Sequence, residues 1–202
     1  AGVLMLPPFY YKEVTIEGLY NYYSEVIQQI GSSNLRIYLY HIPPVAQVPI
    51  TIQLIEKLIK NYPNIVVGIK DSSGDWANTK AMLDCQWDDF RIFVGSENYL
   101  LQNMEHGGSG CISATANINP RGIKELCDNW DKENSHELQK YLTQIRNSFS
   151  NFPLIPALKS YLAGYLKEKI WLLPRPPLTP LSKKDTTLLA ENLGNINFKF
   201  SN

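Results

Sequence analysis

Short apolar stretches alternate with longer amphipathic stretches over the first half of the chain. VLML, which begins at Val3, and NIVVGIK, which ends at Lys70, are two of the short ones. After Thr15 the apolar residues instead recur every three or four positions, as in a helix with one buried face. The pattern predicts strands at 3–6, 35–41, 64–70, 91–95 and 110–113, and helices that begin after Thr15 and Thr51 or lie at about 75–83 and 97–104.

Apolar strands that are each followed by a helix are typical of a parallel sheet covered by helices. The two candidate architectures are a doubly wound sheet and a (β/α)8 barrel. A doubly wound dinucleotide-binding protein usually carries GxGxxG after its first strand, and this sequence lacks that motif. The pattern therefore favours an α/β protein with an incomplete (β/α)8 TIM barrel, of which about the last five βα units are present.

From Pro120 onward the apolar periodicity is purely helical and predicts four helices, at 120–130, 135–149, 153–169 and 182–193. Residues 171–181 contain four prolines and are predicted to form an extended connector. The tail from 194 to 202 has no clear partner. We therefore divide the chain into a partial barrel with catalytic strand ends over residues 1–119 and a C-terminal helical region over residues 120–202.

Composition and charge limit the possible partners. The 19 Lys and Arg residues balance 19 Asp and Glu residues, so no basic surface for nucleic acid or anionic lipid is predicted. No apolar run approaches the roughly 20 residues that cross a membrane. The three cysteines match neither a disulfide nor a zinc pattern, which predicts a cytoplasmic protein. A small neutral or anionic substrate fits this composition best.

Lys70 lies at the end of the third predicted strand and is followed by small polar residues. Because side chains alternate between the faces of a strand, Val66 and Gly68 share the face of Lys70, which we expect to point into the barrel. Gly68 then leaves open space one layer below the lysine. The helix-facing side receives the branched residues Ile65, Val67 and Ile69.

The active sites of such barrels lie at the carboxyl ends of the strands. A lysine among apolar walls there loses hydration, which favours the free amine, and a free amine attacks carbonyls to form a Schiff base. Tyr40 ends the neighbouring strand and Tyr10 or Tyr11 follows the strand before it, so phenols that relay protons are expected nearby. The competing interpretation is that Lys70 reaches solvent or pairs with Asp71 and that the tyrosines only fill the barrel.

Ser96 and Glu97 follow the fourth predicted strand and so face the same end of the barrel, where they can bind a polar substrate. Glu97 can equally be an acid that stabilises the first turn of the next helix.

Several segments resemble, in order and spacing, the dihydrodipicolinate synthase / N-acetylneuraminate lyase family of class I aldolases. They are PPFYYK, YLYHIPP, VVGIKDSSGD, VGSE and GGSGCISATANINP, with LPRPPLTPL near the end. The resemblance covers nearly the whole chain and matches the family without its N-terminal third. In family members that missing third includes a Gly-Thr-Thr element that holds the pyruvate carboxylate.

By this resemblance Lys70 is the Schiff-base lysine that condenses with pyruvate or a related 2-oxo acid. Tyr40 is the acid/base tyrosine near the imine. Tyr10 is the tyrosine that in some members reaches into the site of a neighbouring subunit.

The resemblance also implies a set of substrate-binding residues. Gly95 and Ile112 match positions that line the pyruvate pocket, and Ser96 and Glu97 match positions that contact the second substrate, an aldehyde. Val45 occupies the position where synthases bind the carboxylate of aspartate semialdehyde with an arginine and lyases carry an apolar residue.

By the same resemblance the protein needs no metal or organic cofactor and forms a homo-oligomer, a dimer or a tetramer, since family members are typically homotetramers assembled from dimers. The sequence thus predicts a Schiff-base lyase or synthase that condenses or cleaves a 2-oxo acid with an aldehyde. The alternative is a catalytically inactive truncated fragment that acts only as a binding or assembly unit.

Overall fold

Four parallel strands form the sheet in this computed structural model, which describes residues 2–200. Each of the first four predicted strands is present, and the strands are hydrogen-bonded in chain order. They are β1 (Val3–Met5), β2 (Ile37–His41), β3 (Val66–Asp71) and β4 (Arg91–Val94). Together with the helices that follow them, they form the first of two units, which ends at Ile112.

The α-helices of this unit are α1 (Ile16–Ile30), α2 (Pro43–Ala46), α3 (Ile52–Asn61), α4 (Trp76–Asp84) and α5 (Leu100–Glu105). Of these, α1, α3 and α4 begin where the sequence predicts, whereas a 3-10 helix at Glu97–Tyr99 comes before α5. Thr15, Thr51 and Asp75 each accept a backbone N–H of the first turn, which explains the starts of α1, α3 and α4. The periodicity does not predict α2, because four residues are too few to show a helical repeat.

The fifth predicted strand, at 110–113, is reduced to a single parallel bridge beside β4. Within residues 2–200 this bridge joins Val94 and Cys111. Gly110 has a φ of +115°, which interrupts the extended backbone. The segment lies beside β4, because the Val94 N–H donates to the Gly110 carbonyl and the Ile112 N–H donates to the Val94 carbonyl. Asn103 holds it further, since its Nδ2 donates to the carbonyls of Ile92 and Gly110.

The core of this unit lies between the sheet and α1, α3 and α4. Ile69 belongs to it as predicted, but Val66 joins it in place of Val67. A bulge is the cause, because Ile37 pairs with Val66 while Tyr38 pairs with Gly68, so β3 contains one extra residue at this point. From Gly68 onward the strand alternates as predicted.

The second unit begins at Ser113 and contains the four predicted helices. They are α6 (Pro120–Asp128), α7 (Ser135–Ser150), α8 (Leu154–Leu166) and α9 (Lys183–Asn195). Residues 173–181 of the predicted connector contain no helix or strand, whereas its first two residues, Trp171 and Leu172, belong to a 3-10 helix that begins at Lys169. The tail does have partners, because Phe198 is buried in the core of this unit and the Phe200 ring lies 4.5 Å from that of Tyr165. The tail's last two residues, 201 and 202, lie outside the described part of the chain.

Candidate active site

Lys70 and Tyr40 meet on the face of the sheet opposite the helix-packed core. The two residues are direct partners where β2 pairs with β3. Lys70 Nζ lies 3.0 Å from the Tyr40 hydroxyl and 4.2 Å from the centre of its ring. Both side chains are half-buried. An amine and a phenol at this distance can pass a proton along one hydrogen bond.

The layer below Lys70 is filled by an aromatic ring. A Cβ at Gly68 would come within 2.6 Å of the Tyr38 ring, and a Cβ at Gly2 would come within 2.9 Å of its other edge. Tyr38 therefore lies between two glycines, and it meets the Phe93 ring edge to face at 5.8 Å. The predicted open space below Lys70 is wrong, because Gly68 makes room for Tyr38.

Asp71 does not pair with Lys70, so the salt-bridge interpretation of the lysine is wrong. The Asp71 side chain is 3% exposed and points to the opposite face. Its Oδ1 accepts the Ser73 N–H at 2.8 Å. Its Oδ2 accepts from Asn78 Nδ2 at 2.9 Å and from Thr79 Oγ1 at 2.7 Å. Oδ1 is therefore hydrogen-bonded to the β3–α4 connection, and Oδ2 is hydrogen-bonded to α4.

His41, the partner of Asp71 in the pairing of β2 with β3, has a structural role. It is 4% exposed, and its Nδ1 accepts the Ile50 N–H at 3.0 Å. Burial lowers the pKa of His41, and the Asp71 carboxylate partly opposes that shift. The side chain is therefore a neutral hydrogen-bond acceptor inside the core.

The segment after β4 carries three of the predicted site residues. Gly95 has no room for a side chain, because a Cβ would lie 2.0 Å from Ser72 Oγ. Ser96 caps the 3-10 helix that follows, and Glu97 is 1% exposed, so its carboxylate lies inside the protein. Ser72 was not among the predicted site residues, although its position two residues after Lys70 is a signal for it.

The other three predicted site residues have exposed side chains. Tyr10 is 82% exposed and touches the Tyr11 ring edge to face, whereas Val45 in α2 is 71% exposed. Ile112 is the third. Within residues 2–200, the structure forms no hydrogen bond between Tyr10 and the Lys70–Tyr40 pair.

Lys12 is a second residue that the sequence analysis missed. Its Nζ donates to the carbonyl of Phe9 and, at 2.7 Å, to the carbonyl of Ala46. These bonds tie the aromatic segment at 8–11 to the end of α2. The motif PPFYYK contains the lysine, but its partner lies more than thirty positions away and leaves no local signal.

Residues 2–200 contain no group of three or more His, Cys, Asp or Glu side chains arranged to hold a metal ion. In the same part of the chain, no helix has the length and apolar character needed to cross a membrane.

Similarity to known proteins extends over almost the whole chain. The model of the dihydrodipicolinate synthetase family matches residues 1–196. An uncharacterized DapA-like lyase of Chloroflexus aurantiacus is 30% identical over 189 residues, which cover 93% of this chain and 62% of that protein. The 4-hydroxy-tetrahydrodipicolinate synthase of Thermus thermophilus is 34% identical over 198 residues, which cover 96% of this chain and 64% of the synthase. The chain thus spans less than two thirds of the length of these relatives.

The fold is similar to that of a solved enzyme. The crystal structure of dihydrodipicolinate synthase from Agrobacterium tumefaciens matches with a TM-score of 0.86 and 29% identity, over 96% of this chain and 66% of that one. The predicted fold class, an incomplete α/β barrel followed by C-terminal helices, is confirmed by this similarity and by the parallel sheet.

Proposed function

Because the chain belongs to the dihydrodipicolinate synthetase family, we propose that its site forms a Schiff base between Lys70 and pyruvate or a related 2-oxo acid. The gene product that carries these 202 residues then condenses the 2-oxo acid with an aldehyde or cleaves such an adduct. The observation that carries the proposal is the 3.0 Å contact between Lys70 Nζ and the Tyr40 hydroxyl.

The proposed reaction uses this pair in sequence. The free amine of Lys70 attacks C2 of the 2-oxo acid, and the carbonyl oxygen takes up a proton to give a carbinolamine. Tyr40 donates its proton to the departing hydroxyl, which leaves as water while the C=N bond of the iminium forms. The Tyr40 phenolate then takes a proton from C3, which gives an enamine that attacks the aldehyde carbon. The new alkoxide takes that proton back from Tyr40, and water hydrolyses the remaining iminium to release the product and the free Lys70 amine. In the reverse direction the same C–C bond breaks and the aldehyde leaves.

The surroundings of the pair support entry of substrate from the carboxyl ends of the strands. Tyr38 and Phe93 fill the layer below, so the free side of the amine is the side of the loops. We assign the pyruvate pocket to Gly95 and Ile112, as the family resemblance implies. Gly95 is already packed against Ser72, so its role would be to keep the backbone close to the substrate.

For the second substrate we propose contacts with Ser96, Glu97 and Val45. Val45 is apolar and cannot form the paired hydrogen bonds that an arginine offers a carboxylate. This supports an aldehyde without a carboxylate at that position, rather than aspartate semialdehyde.

We propose that Tyr10 completes the proton relay from a neighbouring subunit of a homo-oligomer. Its 82% exposure supports this role, because a phenol so placed is free to enter another copy. Lys12 would keep the segment in place through its bond to Ala46.

Trapping with borohydride tests the proposal directly. The gene product is incubated with pyruvate, reduced, digested and analysed by mass spectrometry, and the expected result is a reduced pyruvate adduct on the Lys70 peptide. Lys70→Met removes the adduct, and Tyr40→Phe slows its formation by about 100-fold. Lys60→Met, at an exposed lysine on α3, is the matched control and leaves it unchanged. A folded protein that forms no adduct contradicts the proposal.

A second candidate function is assembly without catalysis. The observation that favours it is an apolar groove of about 480 Å³ lined by residues 4–11 and Tyr22, in which the Phe9, Tyr10 and Tyr11 side chains are exposed. The trapping experiment separates the two functions when combined with analytical ultracentrifugation. Self-association without an adduct favours the assembly role.

A further inference from the structure

Asp71 carries a buried carboxylate directly beside Lys70 in the chain, and the proposed reaction does not use it. The two side chains leave β3 on opposite faces. A carboxylate taken out of water is costly unless its oxygens are hydrogen-bonded, and here each oxygen has a donor.

The three donors join the end of β3 to the start of α4. Ser73 donates its N–H, while Asn78 and Thr79 donate from the first two turns of α4. The connection is braced further because Ser73 Oγ accepts the N–H of Asp75, the N-cap of α4. The Asp71 side chain is therefore fixed relative to the helix.

The backbone around Asp71 is held from both neighbouring strands. The Asp71 carbonyl accepts the Gly95 N–H at 2.6 Å, and the Ser72 N–H donates to the His41 carbonyl at 2.7 Å. With the side chain bonded to α4, the peptide after Lys70 has little freedom to rotate. The direction of the Lys70 side chain is then fixed by the hydrogen bonds of Asp71 on the opposite face of the sheet.

We propose that Asp71 is a positioning residue that holds Lys70 Nζ within hydrogen-bond distance of the Tyr40 hydroxyl by anchoring the end of β3 to α4. It touches neither Nζ nor a substrate, so it acts only through Lys70. The catalytic consequence rests on the proposed function, whereas the geometric part concerns this pair of side chains alone.

Two variants weaken the anchor to different degrees. Asp71→Asn keeps the size of the side chain but places an NH2 group against the donor of Asn78 or of Ser73. Thr79→Val keeps the carboxylate and removes one donor. Asp84→Asn is the matched control, because Asp84 is an exposed carboxylate at the end of α4 that pairs with Lys80.

The rate of pyruvate trapping on Lys70 is the first readout. We expect it to fall about 10-fold to 100-fold in Asp71→Asn, as for a reacting group displaced by about 1 Å, to fall about 5-fold in Thr79→Val, and to be unchanged in Asp84→Asn. The amount of adduct at the end of the reaction measures the fraction of molecules with a folded site. A positioning role lowers the rate at constant final amount and constant half-saturating pyruvate. A lower final amount formed at an unchanged rate overturns the inference.

A second readout does not depend on pyruvate. Formaldehyde with cyanoborohydride methylates accessible amines, and mass spectrometry gives the rates at Lys70 and at the exposed Lys60 of the same molecule. In Asp71→Asn we expect the Lys70 rate to approach that of Lys60, because the amine is released from Tyr40. If neither the unmodified protein nor any variant forms a pyruvate adduct, but methylation of Lys70 responds in this way, the proposed function fails and the positioning role stands. Unchanged methylation and unchanged trapping remove the positioning role.

Discussion

The two faces of the sheet hold different kinds of side chain, although both are built from the same strands. On the helix side, Leu39 and Ile69 are fully buried, and Asp71 is bonded to α4. On the other side, Tyr40 and Lys70 are half-buried and bonded to each other. In β3 the core residue Ile69, the proposed Schiff-base lysine and the proposed anchor Asp71 follow one another. The difference teaches that one sheet can pack a core on its helix side and, under the proposed function, present reactive side chains on the other.

The largest effect that tests this division comes from two neighbouring substitutions. Ile69→Ala removes a fully buried side chain and should lower the free energy of unfolding by about 2–5 kcal/mol. Lys70→Met should change it by less than about 1 kcal/mol, because the lysine is half-buried and forms one hydrogen bond. Urea unfolding, with hydrogen exchange of the β3 peptide as a local measure, checks both values. Equal losses for the two variants would break the comparison.

A smaller loss of unfolding free energy is expected at Gly68, where the face of the sheet that carries Tyr40 and Lys70 is closely packed. Gly68→Ala places a Cβ 2.5 Å from the Arg91 carbonyl oxygen and 2.6 Å from the Tyr38 ring, so we expect a loss of about 1–3 kcal/mol. The matched control is Gly164→Ala in α8, where a Cβ meets nothing within 4 Å and should stabilise the helix by up to about 1 kcal/mol. Both values come from urea unfolding. A neutral Gly68→Ala would mean that Tyr38 moves aside freely.

The first four strands and the long helices were predictable because each depends on local signals. Thr15 and Thr51 stand where capping residues must stand, and the alternation that puts Lys70 opposite Ile69 follows from strand geometry. The proximity of Tyr40 and Lys70 was also predictable, because neighbouring parallel strands bring their carboxyl ends together.

Most of the features that were not predictable depend on contacts between residues that are not adjacent in the chain. The extra residue at Val67 arises from the register with β2, and the one local sign of it is the neighbouring Gly68, which was interpreted as open space instead of a bulge. Gly68 predicts empty space when β3 is considered alone, but the Tyr38 ring of the adjacent strand β2 fills that space. Asp71 was expected to pair with Lys70 because they are adjacent in sequence, whereas its donors lie up to eight residues further on.

The smallest expected effect is a pH dependence of the free energy of unfolding that comes from His41 on the helix side of the sheet. His41 is a buried polar group on the helix side, and burial holds its pKa below the ordinary value of 6.5. Below pH 6.5 the unfolded chain therefore binds a proton that the folded protein resists, so the free energy of unfolding falls as pH decreases towards the folded pKa. Above pH 6.5 this contribution is constant.

His41→Asn should remove that pH dependence while keeping an acceptor for the Ile50 N–H, because the asparagine Oδ1 lies close to the position of Nδ1. The difference in unfolding free energy between the unmodified protein and this variant should be constant from pH 8 to about 6.5. It should shrink as the pH decreases from 6.5 to 5.5, by at most about 1 kcal/mol, since the uptake of one proton changes the unfolding free energy by no more than about 1.4 kcal/mol per pH unit. Urea unfolding across this range measures it, with His136→Asn in α7 as the control. Parallel curves would mean that His41 titrates alike in both states, and the helix side would then contribute to stability through packing and the Asp71 bonds alone.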